Sequence, residues 1–353
     1  MKRILTAALL FICLLSGCTR EAKTDKDIFS SNDTEISHTG NASVTREIFA
    51  MDTYMKLTAY GDNAQTAVDK AISEIKRLDA LLSVGDEKSI VYRLNHGEKA
   101  DSEDVTFLIG RSAWLYENTD GAFDITLFPL MELWGFTGKH PAVPEQSDID
   151  KTLVLCGFDK LIIENDTPEP QDGQGIDFGG IAKGYTSQRI MEIFREYGIT
   201  SGVVSLGGNV QCCGTKTDGS LWRCGITDPD HPDDTNCLSG VISVDDKAVI
   251  TSGGYERYFT EGGKTYHHII DPENGYPADN GLKSVTIVSA DGTLADGLST
   301  ACFVMGKEKS LDFWREHSEL FDMVLITNEN EILVTEGLKE NFSSKKDYTI
   351  IKK

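Results

Sequence analysis

Residues 251–305, TSGGYERYFTEGGKTYHHIIDPENGYPADNGLKSVTIVSADGTLADGLSTACFVM, concentrate polar side chains where a fold normally hides them or leaves them out. Ser252, Gly253 and Gly254 follow apolar Val249-Ile250, which reads as a strand running into a tight turn. The glycines there can take positive φ and let a ligand approach the backbone closely. Tyr266, His267 and His268 come next, then Asp271-Pro272 and Asn274-Gly275-Tyr276-Pro277, a dense run of turn chemistry. Asp296 to Thr300 then opens an apolar-periodic segment carrying Leu298, Ala301, Cys302 and Met305. On a helix, Asp296 and Thr300 stand one turn apart on one face. A carboxylate and a hydroxyl so placed can hold a hard cation such as Mg2+, which prefers oxygen ligands. Taken alone, such a pair is more often a helix cap beside a solvated neighbour, and two adjacent histidines more often pack than catalyse.

The chain has 353 residues, enough for one large or two smaller domains, and its 40% hydrophobic and 25% charged content is that of a folded globular protein. A net charge of −22 argues against nucleic-acid binding, which needs a basic face. An anionic ligand would have to be held locally, by a metal, a lysine or backbone N–H groups. Lys2-Arg3 precedes an apolar stretch at residues 4–15, well short of the roughly 20 residues that span a bilayer. Leu15-Ser16-Gly17-Cys18 follows and resembles a bacterial lipobox. Residues 1–17 are therefore expected to be a removed signal peptide. Cys18 would be lipidated and hold the protein to the extracytoplasmic face of the cell membrane. Residues 18–43, polar and without apolar periodicity, read as a disordered tether. Residues 44–353 form the folded part, with a division into two packed subdomains near 140–175. Cysteines 156, 212, 213, 224, 237 and 302 remain; their number permits disulfides, but their spacing matches no zinc or redox signature.

Residues 45–59 alternate as a strand or hairpin broken at Met51-Asp52-Thr53. Residues 64–82 are the clearest amphipathic helix, with Ala67, Ala71, Ile75, Leu78 and Leu82 on one face. A loop holds Ser83 to Asp86, and a second long helix covers 106–118. Gly121-Ala122-Phe123-Asp124 then leads to Phe128, Trp134 and Phe136, which read either as a buried aromatic cluster or as a wall for a flat ring. Asp177-Phe-Gly179-Gly180-Ile-Ala-Lys183-Gly184-Tyr185 runs into a helix ending near 197. Glycines before a helix start with a lysine in its first turn suit a phosphate, although Walker A spacing is absent. Strands follow at 201–210, 222–228, 238–244, 283–290, 323–326 and 331–335, with helices at 294–305 and 309–317. Strands in runs with interspersed helices give an α+β fold of mixed, largely antiparallel sheets flanked by helices.

These stretches, taken in order, resemble the FAD:protein FMN transferases, the ApbE-like flavin transferases. The resemblance rests on Met51-Asp-Thr53, Leu81-Leu-Ser83, Gly121 to Phe136, Asp177 to Tyr185 and Ser205-Leu-Gly-Gly-Asn209. It continues through Trp222 to Pro229, Thr251-Ser-Gly253, His268-Ile-Ile-Asp271-Pro with Gly275 and Pro277, and Ala295-Asp296 to Thr300. It spans nearly all of residues 45–310. Two positions depart from it. Asp52 stands where many members carry glycine, and Gly85 where some carry an aromatic ring.

The resemblance implies that residues 44–353 are the catalytic domain of a Mg2+-dependent enzyme with FAD as its substrate. FAD contacts would come from Met51, Gly85, Ala122, Phe123, Asp124, Asp177, Lys183 and the backbone near Ile270. Mg2+ would sit between Asp296, Thr300 and the Gly180 carbonyl. FMN would be joined by a phosphoester bond to a threonine or serine of an acceptor flavoprotein subunit of a membrane redox complex, with AMP released. Lys183 and its helix start would orient the anion, His268 would serve as base and Asp271 as its orienter. Two other readings use the same residues. One is an FAD pyrophosphatase, with water as the nucleophile; the other is a flavin-binding lipoprotein without turnover.

Overall fold

The computed structural model describes residues 43–138, 140–164 and 167–353. The expected signal peptide, the lipidated Cys18 and the tether lie outside the described residues, except Ser43, which begins the first strand. Strands β1 (Ser43–Ala50) and β2 (Thr53–Tyr60) pair with Ala50 opposite Thr53, so Met51 and Asp52 alone make the turn. Both adopt positive φ, 47° and 56°, as a two-residue hairpin of this hand requires. Neither is glycine, and the Met51 N–H donates to Asp79 Oδ1 at 3.0 Å, which holds the turn to the next helix.

That helix is α1 (Ala64–Leu82), followed by α2 (Ile90–Asn95) and α3 (Glu103–Asn118). Short helices α4 (Phe128–Leu133) and α5 (Gln146–Leu153) and the small hairpin β3 (Ile162–Glu164) and β4 (Thr167–Glu169) lead to α6 (Ala182–Glu196). Strands β5 (Ser201–Leu206), β6 (Asn209–Gly214), β7 (Trp222–Thr227), β8 (Leu238–Val244) and β9 (Ala248–Gly253) come next. The hairpin β10 (Tyr258–Glu261) and β11 (Lys264–His267) precedes β12 (Leu282–Ser289) and α7 (Gly292–His317). Strands β13 (Asp322–Thr327), β14 (Ile332–Thr335), β15 (Phe342–Ser343) and β16 (Thr349–Ile351) close the chain. No described helix is long and apolar enough to cross a membrane.

Nine strands form the main sheet in the order β1-β2-β5-β6-β9-β12-β13-β14-β16, antiparallel throughout except for the β14–β16 pair. A three-stranded sheet, β15-β8-β7, lies on one face and the helices on the other. The strands show why. Ile250, Ile287, Met323 and Leu325 pack into the core under the helices, while Val249, Val288, Val324 and Ile326 pack with Trp222, Cys224 and Ile242 of the smaller sheet. Side chains alternate across a strand, so a sheet covered on both faces needs apolar residues at successive positions. Leu115, Phe123 and Ile125 share a core with Ile250, Ile287 and Leu298, so residues from either side of 140–175 pack together. The six cysteines in the described residues are free thiols.

Candidate functional site

The site forms where α6 and α7 meet at their N-terminal ends. Asp291 caps α7 by accepting from Leu294 N at 3.0 Å, so Asp296 lies a turn inside the helix and not at its start, as the apolar pattern suggested. Its carboxylate is buried, 3% exposed, and is held by groups far away in sequence. Oδ2 accepts from Gly184 N at 2.7 Å and Oδ1 from Asn209 Nδ2 at 2.8 Å. Asp296 of one helix thus satisfies an unpaired first-turn N–H of the other. Burial raises its carboxyl above the usual carboxylate range, against the opposing pull of Lys183, Gly184 N–H and Asn209. The contact depends on a bare Cα at residue 184. A Cβ there would lie 2.2 Å from Gly292 O and 2.4 Å from Asp296 Cβ.

Thr300 follows one turn along α7. Ser252 at the end of β9 lies against this turn, its Oγ 3.4 Å from Thr300 Oγ1 and 2.7 Å from Ser299 Oγ. A Cβ placed on Gly180 would sit 3.6 Å from Thr300 Oγ1 and 3.2 Å from the Phe123 ring, so these three residues converge. The structure therefore brings Asp296, Thr300, Gly180 and Phe123 together. The donors here are all oxygen, from a carboxylate, hydroxyls and backbone, which is the set a hard divalent cation takes.

Lys183, in the first turn of α6, is the electrostatic centre. Its charge acts on the carboxyls of Asp177, Glu256 and Asp296 and on the His268 ring. Asp177 accepts from Gly179 N at 2.8 Å; burial raises its carboxyl, and Arg257 and Lys183 pull it back. Glu256 keeps solvent access, yet surrounding protein and the charge of Asp296 push its carboxyl up to about 7. His268 is pushed the other way, down to about 3, by its surroundings first and then by Lys183 and Arg257. Its Nδ1 lies 3.2 Å from Arg257 O. A carbonyl only accepts, so a neutral imidazole there carries its proton on Nδ1 and leaves the Nε2 lone pair free.

The remaining expected site residues divide into two groups. Met51 reaches α6, with Sδ 3.6 Å from Thr186 Oγ1, and the Ile270 backbone bridges to Pro277 beside His268. Asp271 does not orient His268. Its carboxylate accepts from Glu273 N at 2.9 Å and Asn274 Nδ2 at 3.1 Å, and it shares no hydrogen bond with the imidazole. The Asp-Pro-Glu-Asn turn uses that carboxylate locally, as short polar side chains in turns tend to do. Asp124 is likewise engaged inside its own loop, accepting from both Thr126 N and Thr126 Oγ1 at 2.7 Å, while Thr126 Oγ1 accepts from Gly157 N. Ala122 borders Phe123 in that loop and is half-buried. Gly85 lies on the exposed loop after α1, its N–H donating to Ser83 Oγ.

Trp134 and Phe136 form a buried aromatic cluster with Phe259, Tyr266 and Tyr276, not an open wall. The cluster positions the site at second hand. Trp134 Nε1 donates to Gly275 O at 2.8 Å, and Arg257 donates to Phe136 O. Three participants were given no role from the sequence: Asn209, quoted only within the Ser205 to Asn209 stretch, and Glu256 and Arg257. Asn209 had a signal, because it follows Gly207-Gly208, whose φ values of 60° and 95° make the β5–β6 turn. Glu256 and Arg257 carry no local pattern that sets them apart from other charged loop residues.

A chain that gathers a lysine, an arginine, a neutral histidine and a set of oxygen donors at two helix starts has the parts of a phosphate-handling site. The family follows directly. The model of the ApbE family matches residues 51–325, and the chain belongs to that family. An FAD:protein FMN transferase of Klebsiella pneumoniae is 34% identical over 278 residues, covering 76% of this chain and 84% of the relative. One from Treponema pallidum is 30% identical over 320 residues, covering 83% and 87%. The crystal structure of the ApbE protein of Thermotoga maritima superposes with a TM-score of 0.78 at 34% identity, over 85% of this chain and 99% of that one. The mixed α+β architecture is the one seen in that structure.

Proposed function

We infer that this chain is an FAD:protein FMN transferase. It would split the pyrophosphate of FAD, join FMN through a phosphoester bond to a threonine or serine of an acceptor protein, and release AMP. The observation that carries this reading is the convergence of Lys183, Arg257, His268 and the Asp296–Thr300 pair on one cleft in a chain of this family. The residues fit Mg2+, because the buried Asp296 carboxylate spends two acceptor sites on neutral N–H donors and keeps others, with Thr300 Oγ1 and the Gly180 backbone alongside. When bound, Mg2+ supplies Lewis-acid neutralisation of phosphate oxygens.

The protein's own residues do the rest. Lys183 and Arg257 hold the phosphates, and the acceptor hydroxyl oxygen forms a bond to the FMN phosphorus while the bond to AMP breaks. The hydroxyl proton passes to His268 Nε2. A ring pushed down to about 3 is a weak base in the free protein. Phosphates placed against Lys183 and Arg257 offset the two charges that depress it, so substrate binding itself makes His268 more basic. Phe123 packs against Gly180 and limits water access at the reacting phosphate.

We place the protein on the extracytoplasmic face of the cell membrane, anchored at Cys18, with flavoprotein subunits of membrane redox complexes as acceptors. The support is the Leu15-Ser16-Gly17-Cys18 sequence and the polar stretch after it. The test mixes the chain from Ser43 onward with FAD, Mg2+ and a threonine-bearing acceptor domain, and weighs the acceptor by intact mass spectrometry. A gain of one FMN, dependent on Mg2+ and lost in Asp296→Ala, is expected. AMP and free FMN with an unmodified acceptor would indicate hydrolysis instead, and intact FAD throughout would refute catalysis.

A further inference from the structure

A second cluster of chemically distinctive side chains lies outside this cleft, at the neck of the loop joining β7 to β8. The last register pair is Thr227 opposite Leu238, and one further bond, Asp228 N to Cys237 O at 3.1 Å, sets Asp228 and Cys237 face to face. A turn closed by His231 N to Asp228 O at 2.9 Å folds the histidine back onto the same carboxylate. Asp228 is 2% exposed. Its Oδ2 lies 3.3 Å from His231 Nδ1, 3.2 Å from Cys237 Sγ and 2.7 Å from Lys346 Nζ. The carboxylate oxygen, imidazole nitrogen and thiol sulfur all fall within 4.8 Å of one another.

From this arrangement we propose that Asp228, His231 and Cys237 form a binding site for Zn2+ or a similar thiophilic divalent ion, with Lys346 as the competing cation. The plainer reading is a hydrogen-bond cluster that ties off the loop. Two features go beyond it. Zinc bonds of about 2.0–2.3 Å to oxygen, nitrogen and sulfur give tetrahedral edges of about 3.4–3.6 Å, and both contacts to Asp228 Oδ2 are already close to that length. The donor set also mixes oxygen, nitrogen and sulfur, unlike the all-oxygen pocket at Asp296, so the two places select different ions.

His231 is exposed and gives an entering ion access from solvent, and Lys346 sits on a half-exposed C-terminal segment from which it can swing away. Three protein ligands leave the fourth position to water. Uptake releases the Cys237 thiol proton to solvent, because the thiolate is the ligand.

The experiment adds Co2+, then Zn2+, to the full chain with Mg2+ in excess to fill the oxygen pocket. The expected result is one ion per chain, a thiolate-to-cobalt charge-transfer band in the near ultraviolet, and displacement of that band by Zn2+. Cys237→Ser abolishes the band, and His231→Ala weakens Zn2+ binding at least about tenfold. His231 is exposed, so its loss leaves the fold intact and serves as the variant that cannot fail by unfolding. Lys346→Gln tightens Zn2+ binding by up to about fivefold, the scale of a half-exposed ion pair. A band that survives Cys237→Ser, or Zn2+ affinity indifferent to both His231→Ala and Lys346→Gln, would overturn the assignment.

Discussion

Gly184→Ala tests the contact on which the whole site stands. The added methyl would lie 2.2 Å from Gly292 O, 2.4 Å from Asp296 Cβ and 3.0 Å from Gly292 C. Ordinary contact needs about 3.4 Å or more, and the nearest atoms are helix backbone and a buried Cβ that no rotamer change can move, so α7 must slide by about 1 Å. Overpacking of this kind costs about 1–3 kcal/mol, and weakening the 2.7 Å bond from Gly184 N to Asp296 adds about 1.5 kcal/mol. A loss near 3 kcal/mol corresponds to a fall in Tm of about 5 °C for a folded domain of roughly 300 residues. Activity should fall as well, by about 100-fold, because a 1 Å displacement of a positioned carboxylate is felt directly in the chemistry. The control is Gly110→Ala on α3, where nothing lies within 4 Å of the new methyl and helix propensity alone should stabilise by about 1 kcal/mol. Thermal melts and the acceptor-mass assay on both variants decide it. If Gly184→Ala melted and turned over like the parent, the bare Cα would not be what lets the two helices meet.

Three further outcomes follow from the same geometry. His268→Ala should lower kcat by about 100-fold or more while FAD binding, read by flavin fluorescence, stays near the parent value; retained turnover would rule out the base assignment. FAD affinity should weaken as pH rises through about 7, where Glu256 gains its negative charge beside Lys183, the proposed phosphate ligand, and Glu256→Gln should flatten that dependence. Asn209→Ala removes one of the two donors to the buried Asp296 and should cost about 2 kcal/mol in urea unfolding; a change within error would mean another group satisfies Oδ1.

What the sequence made legible was what local periodicity encodes. Helix α1 stands at Ala64–Leu82, where the apolar spacing put it, because Ala67, Ala71, Ile75 and Leu78 repeat at helical intervals and are all fully buried. The two helices read at 294–305 and 309–317 are one helical run broken at Gly306, whose φ of 76° interrupts it. The start of α7 was missed because Asp291-Gly292-Thr293 looks like a turn, although Asp291 is a cap. Asp296 and Thr300 were legible as a pair since they are four residues apart. The partners of Asp296 were not, lying 112 residues away at Gly184 and 87 at Asn209. Asp271 misled for the converse reason. A motif that sets it three residues from His268 says nothing of rotamer, and the nearer N–H groups of its own turn took the carboxylate.

If the proposed cation site is right, the charges around it would also make anion and cation binding interdependent. Lys183 and Arg257 face Asp177, Asp296 and a Glu256 that is half ionised near pH 7, with His268 neutral. The local sum is therefore close to zero or slightly negative, inside a chain whose net charge is −22. Such a cleft has no excess of positive charge with which to draw in a pyrophosphate, and long-range steering by the whole protein opposes it. A divalent cation held by the Asp296–Thr300 oxygens, as proposed, would reverse the sign locally, and a pyrophosphate would offer it further oxygen ligands. Each ligand would then raise the affinity of the other by the same factor, since linkage between two binding sites is reciprocal. Burying Asp296 against neutral donors, instead of pairing it with Lys183 at close range, is what keeps its remaining lone pairs open for this coupling.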